Sequence, residues 1–141
     1  MLIFAGFIFG QNTANLTINI SNIQLDSSKI FIGLYDNEAD FKLKSNAIDS
    51  IVLIPEKEIT EVSLKNIPFG IYAVAIFQDL NNNGKLDSKE FKIPVEPVGI
   101  SNYTSSSSSL LPTFKKAQFN LIEDALIFIP LMLNKRNTTK K

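Results

Sequence analysis

Short runs of alternating apolar residues, separated by turn-forming residues, predict an all-β fold: an antiparallel β-sandwich of about seven strands with one short helix. Composition agrees, since 45% of the 141 residues are hydrophobic and eleven are Phe, enough to pack a substantial core. The first run is Leu16, Ile18 and Ile20, with polar residues between them. An Asp26-Ser27-Ser28 turn then leads into Lys29–Tyr35, rich in Ile, Leu and aromatic residues. The stretch from Asn37 to Lys44 is the one candidate helix, with Phe41 set to tuck against the sheets. Ile48–Ile54 supplies a third strand, and Ile59, Val62 (one step out of register) and Leu64 a fourth. Pro68-Phe69-Gly70 turns the chain into Ile71–Phe77, which should be buried. Ala117–Leu121 and Leu126–Leu133 close the series. Leu126–Leu133 contains Pro130 and is far too short to span a bilayer, so it reads as a terminal strand. The whole suits an immunoglobulin-like or transthyretin-like arrangement.

Chemistry concentrates in one place, Asp79-Leu80-Asn81-Asn82-Asn83-Gly84-Lys85-Leu86-Asp87-Ser88-Lys89-Glu90. Taken as a twelve-residue loop, it carries Asp at position 1, Asn at 3 and 5, Gly at 6 and Glu at 12, the calcium-loop pattern of EF-hands. Calcium is a hard cation that takes six to eight oxygens, so alternate oxygen-bearing side chains meet its needs. Asp79, Asn81, Asn83 and Asp87 would bind through side chains and Lys85 through its carbonyl, with Glu90 or Glu96 completing the shell. Leu86 would pin the loop to the core. Helices flank such loops in EF-hands, whereas here Ile71–Phe77 precedes the loop and the proline-rich Ile93–Pro97 follows it. Opening of a helix pair by calcium is therefore excluded. The same Asn82-Asn83-Gly84 core also suits a plain polar turn, because Asn and Gly tolerate positive φ. Both readings stand at this point.

Charge and residue usage narrow the function. Formal net charge is zero, but Lys135, Arg136, Lys140 and Lys141 carry four of the fourteen positive charges on a polar tail. The body without them lies near −4, which argues against nucleic acid as a partner. Residues 1–10 form an apolar run that ends at Gly10 and gives way to Gln11, like the end of a signal peptide. The expected organisation is thus a leader remnant at 1–10, one sandwich domain at 11–134 and a basic tail at 135–141, in an exported protein, periplasmic or extracellular. The chain has no His and no Cys. That removes the commonest general base, thiol nucleophiles and transition-metal sites of imidazole or thiolate.

From Leu16 to about Leu133 the chain resembles the bacterial family known as domain of unknown function 2141. Ile32-Gly33-Leu34-Tyr35 followed by Phe41 is similar to its early strand and short helix. Ile67-Pro68-Phe69-Gly70-Ile71-Tyr72-Ala73-Val74 is similar to its "LPPGxYAV" segment. Asp79 to Asp87, then Ile93-Pro94, Glu96, Gly99, Ser101-Asn102 and Pro112-Thr113-Phe114 with Ala117, follow its "DxNxNGKLD…IPxExxGxSN…PxFxxA" run. The resemblance implies an exported sandwich-like domain and supplies no activity. Gln78 stands where the family commonly has His, and Lys92 where it commonly has Gly. Glu96 belongs to the family pattern, whereas Glu90 does not.

The expected function is a structural or binding module, not an enzyme, with a calcium-stabilised loop and an unknown protein or carbohydrate partner. Gly99, Ser101 and Asn102 are the expected partner surface, contiguous with the loop at one end of the sandwich. Tyr72 or Tyr103 could stack on a sugar. The alternative is a hydrolase acting on envelope glycans, built on a carboxylate pair drawn from Asp79, Asp87, Glu90 and Glu96.

Overall fold

The computed structural model describes residues 12–89, 93–103 and 111–133. The expected leader (1–10), Glu90, the serine run from Thr104 to Ser109 and the basic tail lie outside the described residues. Element order is β1 (Thr13–Ser21), β2 (Lys29–Tyr35), α1 (Glu38–Leu43), β3 (Asp49–Leu53), β4 (Thr60–Pro68), β5 (Gly70–Asp79), β6 (Ser88–Lys89), β7 (Ile93–Pro94), β8 (Val98–Ile100), α2 (Phe114–Ala117), β9 (Phe119–Leu121) and β10 (Ala125–Pro130).

Two sheets face each other. One is ordered β10-β1-β4; the other is ordered β3-β2-β5-β8, with β9 also pairing with β5. Period-two alternation explains why they stack. Leu16, Ile18 and Ile20 of β1, with Leu64 of β4 and Ile129 of β10, are buried from one side. Ile30, Ile32 and Leu34 of β2, with Val74 and Ile76 of β5, meet them from the other, in one continuous core. Full burial of such a side chain contributes roughly 1.5–3 kcal/mol, so this layer dominates the stability.

Each of the seven expected strands has a counterpart, although the sixth is shortened to Phe119–Leu121 because Ala117 closes α2, and the last ends at Pro130. The sandwich reading holds. One pairing departs from it: β1 and β10 run parallel, with Ile18 opposite Ile127 and Ile20 opposite Ile129. First and last long strands lie side by side because the end of β10 crosses between sheets. Leu131 donates its N–H to Ser21 O, and Met132 bonds Val98 in both directions, so the crossing closes against β8. Gly99 sits beneath it. A Cβ there would lie 2.6 Å from Ile129 Cγ2, so only glycine admits the crossing strand. Ile71 is also unlike the rest of its strand, being half exposed rather than core.

The second face of the five-stranded sheet is covered as well, by short elements. Tyr35, Ala73, Ala75, Val98 and Ile100 on the sheet pack with Phe41 of α1 and Ala117 of α2. Phe41 meets Tyr35 and Phe114 edge-on at 5.8 Å and 5.9 Å. Asn37 starts α1 as its cap, accepting the Asp40 N–H. The second helix, α2, is absent from the sequence reading. Thr113 makes no side-chain cap there, and Glu38 of α1 accepts the Phe114 N–H at 2.7 Å instead.

Candidate functional site

The loop between β5 and β6 begins at Asp79, the last residue of β5, whose carboxylate is buried. Its Oδ1 accepts the Asn83 N–H at 3.2 Å and its Oδ2 accepts the Gly84 N–H at 2.8 Å. One side chain thereby folds the chain back over itself, and the turn needs Asn82 at φ 55 and Gly84 at φ 79. Across the loop, Asp87 faces the same centre. Asn83 Nδ2 donates to both its oxygens at 2.9 and 2.8 Å, and Asn81 Nδ2 to Oδ2 at 2.5 Å. The amide oxygens are also engaged: Asn81 Oδ1 accepts the Asn83 N–H, and Asn83 Oδ1 accepts the Lys85 N–H. Lys85 itself is exposed. Leu86 is half-buried and packs against the second cluster, as the sequence reading required.

Glu96 reaches the loop from behind. It is 3% exposed, and its two oxygens accept the N–H groups of Leu80 and Asp87, each at 3.1 Å. The first residue after Asp79 and the ninth position of the loop are thus tied to one carboxylate. Burial holds the Glu96 carboxyl above its ordinary value, and the charges of Asp87 and Asp79 push the same way, against the Asp87 N–H that favours the ionised form. A short ribbon of β6 and β7, paired Ser88 to Pro94, carries the chain from the loop back to Glu96. That ribbon lies off both sheets, in keeping with two prolines between residues 93 and 97.

Five of the seven expected ligand residues, Asp79, Asn81, Asn83, Asp87 and Glu96, are joined in this one network. Lys85 is in the loop, and Glu90 lies outside the described residues. Among the described residues, no three or more Asp, Glu, His or Cys form a group placed to hold a metal. Any cation here would also need the amide and backbone oxygens of the loop. The donor set is all oxygen, which fits a hard cation such as calcium and does not fit a soft one.

The expected partner surface takes a different form. Gly99 and Ser101 are buried, and only Asn102 is exposed. The reason is β8, which pairs Val98 with Phe77 and Ile100 with Ala75, so this segment is sheet rather than surface turn. Ser101 Oγ accepts the Val74 N–H at 2.9 Å and donates to Ala117 O at 2.8 Å, replacing a ladder bond where the strand ends. Asn102, at φ 54, donates from Nδ2 to Gln118 O at 2.7 Å. Val74 lies five residues from Asp79 along β5, a rise of roughly 17 Å. Loop and Asn102 therefore do not form one contiguous end. Tyr72 is likewise a core residue, 5% exposed, with its hydroxyl donating to Pro68 O at 2.6 Å.

Replacing Ser101 by Ala should cost about 1–3 kcal/mol, because the Val74 N–H and the Ala117 carbonyl both lose a buried partner. Urea unfolding monitored by circular dichroism measures it; a change under about 0.5 kcal/mol would contradict the bridging role.

Sequence reading also missed the part played by Gln78, the residue just before the loop. It is fully buried and works like a strand backbone. Oε1 accepts the Gln24 N–H at 3.0 Å, and Nε2 donates to Gln24 O at 2.6 Å and to Ser28 Oγ at 2.8 Å. Its polarity at the end of a run of apolar residues, still within β5, was the available signal.

No helix among the described residues is long and apolar enough to cross a membrane. No curated protein and no solved structure matches the chain. Residues 18–127 match the family model described as "Uncharacterized protein conserved in bacteria (DUF2141)". That match spans most of both sheets, the loop and Glu96, and the chain belongs to this family.

Proposed function

We propose that the protein is an exported β-sandwich binding module whose β5–β6 loop is organised by calcium. One observation carries the reading: the side chains at positions 1, 3, 5 and 9 of the loop converge, with Asp79 folding the turn and both Asn amides directed at Asp87. An amide aimed at a carboxylate occupies the place a cation would take. Rotation of Asn81 and Asn83 would turn their oxygens inward, and Asp79, Asp87 and the Lys85 carbonyl would join them. Glu96 fixes the two ends of the loop and stands beside the same centre. Binding then serves to hold a surface loop in one conformation on a rigid sandwich, ready for a protein or carbohydrate partner.

Export is supported by the apolar run at residues 1–10 and its polar successor. Calcium near 1 mM outside the cell would saturate a site with a dissociation constant of about 10 µM and add roughly 2.7 kcal/mol. For a domain of this size the melting temperature should rise by about 10 °C. Calorimetric titration and thermal melts with calcium, magnesium and a chelator test this. Calcium should stabilise strongly and magnesium weakly, because magnesium demands a smaller and stricter octahedron. Equal melting temperatures with calcium and chelator would sink the proposal.

A further inference from the structure

Beside the β5–β6 loop, the structure holds a cavity of about 570 Å³ against the second face of the five-stranded sheet. Its size lies within the range of small-molecule sites. Phe31 and Phe77 make the floor. They are directly opposite in the β2–β5 register, half-buried, and stacked with ring centroids 4.8 Å apart at an interplanar angle of 2°. Gly33 and Ala75 lie beside them, and the Tyr35 ring covers Gly33, where a Cβ would come within 2.7 Å of its hydroxyl. The end of α1 makes one wall and Gly84–Leu86 another.

Charge marks the lining. Lys42, Lys44 and Lys85 contribute to it and no Asp or Glu does, although the chain body carries a net charge near −4. Lys44 is also conformationally unusual. It ends α1 in the left-handed region at φ 53 and ψ 39, a position that ordinarily selects Gly or Asn. A residue kept there against its preference points to a use for its side chain. The ammonium lies 4.1 Å from the Phe41 ring centroid and donates to Phe41 O at 2.5 Å, which leaves two of its three protons to offer. Burial lowers its pKa to about 8 against the opposing charge of Glu38, so the amine is partly desolvated, and an incoming anion competes with Glu38 for it.

The geometry points to a binding site for a small aromatic carboxylate, its ring packed against the stacked Phe31–Phe77 pair and its acid meeting Lys44. Phe31 and Phe77 already cover one face of each other, so a ligand ring would meet the pair at an edge or an outer face, and the lysines supply the complementary charge. The cavity borders the proposed calcium centre, since Gly84, Lys85 and Leu86 belong to both, but its lysine and aromatic contacts do not rest on calcium being bound.

Titration with 2-naphthoate, followed by amide NMR shifts in the full chain, tests it, with 2-(aminomethyl)naphthalene as a cation of similar shape. Naphthoate should saturate, with shifts concentrated at Gly33, Ala47 and Ala75, and the amine should bind at least tenfold more weakly. Lys44→Met should weaken naphthoate at least tenfold. Val52→Glu, at a rim position exposed to solvent, should remove binding while the circular dichroism spectrum is unchanged. Equal affinity for the two compounds would overturn the proposal. So would shifts centred elsewhere, or wild-type naphthoate affinity in both folded variants. Self-association that shifts these same amides without any ligand would assign the cavity to a second copy of the chain, and would also overturn it.

Discussion

Gln78→Leu is expected to destabilise the protein by about 2–4 kcal/mol, although the substitution keeps the volume and makes the residue more hydrophobic. Leucine strands the Gln24 N–H and the Gln24 carbonyl and removes the donor to Ser28 Oγ, which keeps its bond to Asp26. Each buried group left without a partner costs about 1–3 kcal/mol, and the exposed position of Gln24 lets water recover part of that. Two of these contacts span 54 residues and the third 50, tying the β1–β2 connection to the end of β5. Ser28, in turn, donates both its N–H and its hydroxyl to Asp26 Oδ1, so the turn before β2 is organised through the same amide. In urea unfolding the midpoint should fall with little change in slope. A loss under about 0.5 kcal/mol would show that the clamp carries no stability. Calcium binding, if it belongs to the loop, should survive in the folded fraction, because Gln78 faces the opposite side of β5 from the residue that follows it.

What was legible in the sequence follows the range of the interaction that decides each element. β2 is decided locally, by alternation and by the Asp26-Ser27-Ser28 turn, and its expected bounds are those observed. The short helix is decided locally too, by the Asn37 cap and the need to bury Phe41. α2 spans four residues and takes its N-terminal cap from Glu38, 76 positions away, so no local signal announces it. β8 is three residues long and follows Pro97, and it exists because the free edge of β5 is there to be paired. The parallel pairing of β1 with β10 is a choice between edges, on which a period-two pattern is silent.

The candidate site divides in the same way. Asp79, Asn81, Asn83, Gly84 and Asp87 were legible because a loop of this kind is written in consecutive positions. Glu96 was visible as a carboxylate of the family pattern; its burial behind the loop depends on the β6–β7 ribbon returning the chain. Gly99 and Ser101 were misread as surface because small polar turn residues look alike in sequence whether they face water or replace a ladder bond.

Asp79 offers the sharpest separation between loop folding and cation binding. Asp79→Ala removes the acceptor of both the Asn83 and Gly84 N–H groups and should cost the metal-free protein about 2 kcal/mol. Asp79→Asn keeps an amide oxygen for one of these bonds and turns a donor toward the other N–H. Asn83 and Gly84 are exposed, however, so water can take up the loss and its metal-free stability should lie within about 1 kcal/mol of wild type. Calcium distinguishes the pair from wild type in a different way. Both variants lose a charged ligand at the first loop position, so the melting temperature of each should be the same with calcium and with chelator. A loop that is only a polar turn gives the same two metal-free stabilities and differs in one result: the wild type is indifferent to calcium. Glu96→Gln provides the cross-check. One of its two acceptors becomes a donor facing the N–H of Leu80 or Asp87, which should cost about 1–3 kcal/mol and loosen the loop ends before any metal arrives. Should Asp79→Asn retain the full calcium-induced rise in melting temperature, the cation is held elsewhere and the loop assignment is wrong. A rise lost in Asp79→Asn and reduced in Glu96→Gln, with the metal-free fold of Asp79→Asn intact, would place calcium at the centre these residues share.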